Sequence, residues 1–418
     1  MFKNYLKITF AILRRRKLFT FISLFGISFT LTVLIVGVAF MDHLFAPKYP
    51  ELQRNHILYV SRTEIRDSGG TGANNSSVGR YFLHEYILKM KTPEKIAFAT
   101  APNTINAYSP NGTKLRLFYK HTDANFWELN NFDFVEGKPY TQSNIDNSEK
   151  VMVINENTRD DYFGKGLPVV GKSFELDNIL YRVIGVVRGS PITRFFSSSD
   201  VYIPYNLKPG DALDKDIGGS YIVMLRGKTS EDLEKIKAEF ESIIPKVPIP
   251  KGDKYFKPYK LYSEADSYIK GFSRQFVGNR YSSGVNLFYF LIFSLAFLFM
   301  SLPAINLINI NMNRIMERAS EIGIRKAFGA SSQTLTFQFI IENIIVSLIG
   351  SVLAIFLAAG AIYYINHCGI IPYADLTINW KVLIWGIIFS IAFGLLSGVY
   401  PAWRMSKMQV VDALKGGD

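Results

Sequence analysis

Four long apolar runs punctuate the chain, at 18–41, 285–310, 334–365 and 382–400. Each is close to or above the ~20 residues with which a helix crosses a hydrocarbon core ~30 Å thick. None alternates like a barrel strand, and lipid offers no partner for free backbone N–H and C=O groups, so each run predicts a spanning helix. Pro303 removes one backbone donor within the second and is expected to bend it. Between the first and second runs, 42–284 is broken into short segments. Strands are predicted at 57–60, 96–100, 114–119, 151–154, 179–187, 201–203 and 221–225, and helices at 80–90, 158–163 and 231–244. In the last of these Leu233, Ile236, Phe240 and Ile243 share a face, with Ser230 placed to cap it and Pro245 to stop it. The run 69–75 reads as a flexible loop. The expected fold is a membrane α-helical bundle of four transmembrane helices plus a large α+β extracytoplasmic domain between helices 1 and 2. That domain would have two lobes, an outer lobe of split β-α-β character with a β-rich insertion about 120–205 being the simplest assembly.

Charge orients this architecture. A net charge of +12 over 418 residues would admit nucleic acid, but its distribution argues against that partner. Basic residues gather in 1–17, in the 311–333 loop (Arg314, Arg318, Arg325, Lys326) and in the 401–418 tail, whereas 366–380 of the short outer loop 366–381 carries none. The positive-inside rule then puts both termini and 311–333 in the cytoplasm and 42–284 across the bilayer. Lys3, Lys7 and Arg14 form a stripe opposite Phe2, Tyr5, Leu6, Ile12 and Leu13, as in an amphipathic helix in the inner headgroup layer; a plain positive flank accounts for them equally well. The first run exceeds the ~7–15 residues of a signal-peptide core and is expected to stay as an anchor. Cys368 is the single cysteine, so the outer domain must hold together by packing alone.

Catalytic chemistry is not encoded in any familiar pattern. Residues 166–173 satisfy the phosphate-loop formula, but a predicted helix precedes them and a strand-like segment follows, the reverse of what cradles a phosphate. The five histidines lack metal-ligand spacing, so neither a catalytic nor a metal site is expected. Two stripes of small residues stand out in the membrane. Gly386, Ser390, Gly394 and Gly398 recur every four residues in the fourth run, and Gly350, Ala354 and Ala358 in the third, which lets helix backbones approach closely, within one bundle or between subunits. Glu342 lies inside the third run, where an acid needs a partner such as Asn309 or Arg314, or a route to headgroup water.

The cytoplasmic loop is the most informative segment. Arg314, Glu317, Arg318, Glu321 and Arg325 share one stripe of a helix, with Ile315, Ala319 and Ile322 on the other side; Gly329 ends it and Ser331 can cap the next. A solvated connector has this pattern, and so does a docking helix for a cytoplasmic partner. The run from Arg318 to Ser331 resembles the R-x-x-E-I-G-[IL]-R-[KR]-A-x-G-A-[ST] signature of MacB-like and FtsX-like ABC transporter permeases. Residues 6–26, 151–187 and 401–414 are similar to the family's amino terminus, extracytoplasmic core and tail.

The resemblance implies a type VII, mechanotransmitting permease subunit of a bacterial inner membrane. It would not be an enzyme: this chain would hold no cofactor, with ATP and Mg residing in a separate cytoplasmic ABC ATPase subunit. A second permease subunit, identical or paralogous, and a periplasmic adaptor or lipoprotein are the further implied partners. Carried onto this sequence, Glu321, Ile322, Gly323, Arg325, Lys326, Gly329 and Ala330 would face the ATPase. Export or extrusion of an antimicrobial, peptide or lipoprotein is the implied activity; the alternative is a non-transporting FtsX-like permease that regulates a cell-wall hydrolase or sensor.

Overall fold

The computed structural model describes residues 14–15, 17–68, 72–210, 216–249, 258–316, 324, 328, 331–381, 383–388, 391–392 and 395. The chain opens with helix α1 (Lys17–Phe45) and enters a β-rich region: β1 (Ile57–Val60), β2 (Thr63–Asp67), β3 (Ala73–Val78), α2 (Arg80–Glu85), β4 (Lys95–Thr100), β5 (Asn103–Tyr108) and β6 (Lys114–Thr122). There follow α3 (Asn125–Leu129), β7 (Phe134–Gly137), α4 (Gln142–Asp146), β8 (Val151–Asn155), α5 (Glu156–Phe163), β9 (Ser173–Leu176), β10 (Ile179–Val187) and β11 (Val201–Pro204). β12 (Gly218–Gly219), β13 (Tyr221–Arg226), α6 (Asp232–Ile243), β14 (Pro258–Ser263) and α7 (Tyr268–Phe276) complete the region, and α8 (Val285–Met316) and α9 (Ser332–His367) follow it.

The strands form one hydrogen-bonded path, β14-β2-β3-β13-β4-β6-β11-β8-β10-β7, with β1, β12, β5 and β9 paired alongside. Strands from both expected lobes therefore share one sheet. β8 and β10 run parallel across the α5 connection, and β6 and β11 are also parallel. Period-two geometry divides the core: Tyr221, Val223 and Leu225 of β13 pack with Phe82, Ile236 and Phe240, while Ile222 and Met224 face Tyr59, Trp127 and Tyr202. Met152 and Ile154 of β8 reach a third cluster around Phe174 and Val183. Such strands, buried on both faces, read as unbroken apolar runs.

Two local expectations fail for identifiable reasons. The 69–75 loop is cut short, because Asn74 and Asn75 pair with Ile65 and Glu64 in the exposed strand β3. Ser230 is not the cap of α6; the Asp232 carboxylate instead accepts the backbone N–H of Thr229 at 3.2 Å. Helix α8 runs through Pro303 as one element.

The chain divides into two units, Leu44–Phe288 with Ile371–Ala374 and the remainder. In the second, α1 and α9 contain apolar stretches long enough to cross a bilayer, Thr20–Phe45 and Ile340–His367, and α8 a shorter one, Val285–Phe299. Ile27, Leu31 and Ile35 of α1 pack against Val346, Ala354 and Ala358 of α9 or are joined to them by close contacts, and Thr32 Oγ1 donates to the Ala354 carbonyl at 3.3 Å. A Cβ at Gly350 would lie 2.7 Å from Ile27 Cγ2. The small residues of α9 thus serve packing within the chain. Gly350→Val should lower stability by about 1–3 kcal/mol through overpacking. Gly360→Val, where a Cβ meets nothing within 4 Å among the described residues, should be nearly neutral, as paired thermal unfolding in detergent would show.

Candidate functional site at the end of the first helix

An α-helix ends with carbonyls that lack intrahelical donors and carry the negative end of its dipole. Two guanidinium groups meet this need at the end of α1. Arg54 Nη1 donates to the Leu44 carbonyl at 2.6 Å, and Arg194 Nη1 to the Ala46 carbonyl at 2.9 Å. Both arginines are buried, as is Glu51, whose Oε2 accepts from Arg54 Nε at 2.7 Å and also from Nη2, while Oε1 accepts the Ser197 hydroxyl at 2.6 Å. The Arg54 guanidinium also lies 3.7 Å from the centre of the Tyr268 ring, on α7. Tyr268 in turn contacts Tyr59 and Phe196 edge-on. A third cation, Lys120 of β6, is fully buried and donates to the carbonyls of Phe195 and Phe196 at 2.6 and 2.8 Å. Tyr202 completes the frame of the 188–200 loop, donating to the Ser197 carbonyl at 3.0 Å and accepting from the Ser199 N–H at 2.9 Å.

Burial sets the electrostatics of this joint. Desolvation works against the charge of Arg54, but the adjoining Glu51 carboxylate overcomes it and holds the pKa above the usual arginine value. Arg194 is pushed down by burial and by repulsion from Arg54. Burial lowers Lys120 to about 7, with Glu51 opposing the shift.

The sequence-predicted coupling residues fall mostly elsewhere. Arg314 belongs to α8, and Arg318, Glu321, Ile322, Gly323, Arg325, Lys326, Gly329 and Ala330 lie outside the described residues, as do Ser390, Gly394 and Gly398. Of their neighbours, Ile324 and Phe328 are exposed, and Ser331 caps α9 by accepting the Thr334 N–H at 3.2 Å. A Cβ at Gly386 would stand 3.1 Å from Leu31 Cδ1. Glu342 is buried and accepts from Gln338 Nε2 at 3.2 Å. The side chains of its expected partners, Asn309 and Arg314, lie outside the described residues.

Residues 20–243, more than half of the chain, match the MacB-like periplasmic core domain, and 293–410 match the FtsX-like permease C-terminal domain. The chain belongs to the MacB-like and FtsX-like ABC transporter permeases. Among curated relatives of these permeases, it is 23% identical to the uncharacterized ABC transporter permease YvrN of Bacillus subtilis, over 77% of this chain and 81% of that one. It is 25% identical to the macrolide export ATP-binding/permease protein MacB of Escherichia coli over 79% of its own length, but spans only about half (49%) of that protein. The periplasmic region of MacB from Actinobacillus actinomycetemcomitans aligns with 45% of this chain and 84% of its own at 15% identity and a TM-score of 0.34. Permeases of this family generally work with a cytoplasmic ATPase.

Sequence reasoning missed the joint, since Glu51, Arg54, Lys120 and Arg194 look like ordinary surface charges until the fold buries them. It also missed Asn343, Ser347 and Ser351, which are buried on the face of α9 that carries Gly350, Ala354 and Ala358. Their four-residue spacing was a readable signal.

Removing a buried anion leaves cations uncompensated, so Glu51→Gln should destabilise this permease by about 3–5 kcal/mol. Lys89→Ala, which breaks the exposed pair with Glu85, should cost under ~1 kcal/mol in the same urea titration. Lys120 adds a pH signature. The unfolded chain keeps this proton up to about pH 10.4, while the folded protein releases it near 7, so its contribution to stability rises with pH between those values. The stability of the parent chain relative to Lys120→Met should therefore grow by about 1 kcal/mol per pH unit from 7 to 9. A difference flat in pH would mean that Lys120 stays protonated.

Proposed function

We propose that this chain is the permease subunit that converts ATP hydrolysis in a separate cytoplasmic ATPase into motion of its outer domain, driving export or extrusion of a substrate. In this reading 18–41, 285–310, 334–365 and 382–400 all span a bacterial inner membrane, both termini are cytoplasmic, and 42–284 lies in the periplasm. ATP and Mg belong to the ATPase, and a second permease subunit completes the transporter.

The observation that carries the reading is the ionic joint. The carbonyls at the end of α1 are held by Arg54 and Arg194 among the core strands, so a displacement of α1 is delivered to folded structure rather than absorbed by a slack linker. Rigid coupling of this sort suits a domain that does mechanical work on a partner or cargo. The macrolide-export relatives favour export, of an antimicrobial, peptide or lipoprotein, over a signalling role without transport.

The 314–330 segment is the proposed contact with the ATPase. Glu321→Ala combined with Arg325→Ala should leave the folded permease in the membrane but reduce substrate-dependent ATP turnover of the reconstituted complex by about tenfold or more, the scale of a lost ~1.4 kcal/mol coupling. Unchanged turnover and transport in that double variant would remove the docking role from this segment.

A further inference from the structure

Ile371–Ala374, from the loop after α9, is part of the same folded unit as the β-sheet. Tyr373 is seated directly over Gly189, where a Cβ would fall inside the Tyr373 ring. Its backbone is left-handed, with φ of 57°, a conformation that costs a non-glycine residue roughly 1 kcal/mol and persists only where surrounding contacts impose it. Beside the ring is a cavity of about 480 Å³. Tyr373 and Pro372 supply one wall; Phe118, Ile192, Phe195 and Ser199 are among the residues of the others. Ser199 is buried, and its Oγ has no hydrogen-bond partner among the described residues. The wall formed by 190–199 belongs to the loop that Lys120, Arg194 and Tyr202 tie down by hydrogen bonds, while the ring sits on it with its own backbone strained.

We infer that Tyr373 is a detachable plug: its ring docks over Gly189 to close one side of the outer-domain cavity, and withdrawal of the 371–374 loop opens it. Gly189 is the keyhole, since any side chain there excludes the ring. The ring covers Gly189 through its far edge, Cζ and both Cε atoms, and release relieves the left-handed backbone at residue 373. The inference is independent of the ATPase reading, because the plug belongs to this chain alone.

The test uses the full chain in lipid nanodiscs with Cys368→Ser, so that Ser199→Cys provides the only thiol. Alkylation by a charged maleimide should be about tenfold or more faster when Tyr373→Gly or Gly189→Val is added, and within about twofold of the parent with Tyr373→Phe. Tyr373→Gly deletes the ring at a φ that glycine adopts freely, so a faster reaction there reports loss of the plug and not of the loop's backbone. Hydrogen exchange of amides 190–199, measured without the reporter cysteine, should rise in the same two variants while β8 stays protected. Equal alkylation and equal exchange in all variants would overturn the inference, as would Tyr373→Phe behaving like Tyr373→Gly.

Discussion

One carboxylate buried among three cations governs the outer domain. Glu51 is the acid within hydrogen-bonding reach of Arg54, and Arg54, Arg194 and Lys120 are all removed from water with it. Burying charge is costly unless geometry and further hydrogen bonds compensate, and here backbone carbonyls do much of that compensating: Leu44, Ala46, Phe195 and Phe196 each receive a cationic donor. The network is therefore less a source of stability than a specification of place. It defines where the end of α1 must be relative to β6, the 188–200 loop and α7, because every displaced partner strands a charge.

That specification explains why the rest of the sheet can be conventional. β1, β8 and β13 are buried on both faces and carry the three apolar clusters, so most of the driving force comes from ordinary burial of Ile, Val, Leu and aromatic side chains. No disulfide contributes, Cys368 being the chain's single, exposed cysteine. The apolar core supplies cohesion, and the ionic joint supplies address.

How much of this was written locally in the chain differs by element. Strands such as Ile57–Val60 and Tyr221–Arg226 were legible because both faces are apolar, and Ile179–Val187 because its first residues alternate inward and outward before an apolar end. Ala73–Val78 was not, because its first residues are exposed and polar and gain strand conformation only from the neighbour they pair with. Asn103–Tyr108, another mostly exposed strand, was hidden for the same reason. The 314–331 segment was the clearest motif in the sequence, through family resemblance, yet most of it lies outside the described residues. The joint shows the converse: unmistakable in three dimensions, it is assembled from residues as far apart as 51 and 194, and no local pattern marks them.

The two caps on α1 also constrain a degree of freedom that a single contact would leave open. Leu44 lies in the last turn of α1 and Ala46 is the first residue beyond it, so the two grips fall on either side of the point where the helix stops. Held there by both Arg54 and Arg194, the helix end cannot be pulled or turned out of place without losing at least one grip. Twisting, and not only pushing or tilting, is therefore resisted at the place where the chain leaves the helix.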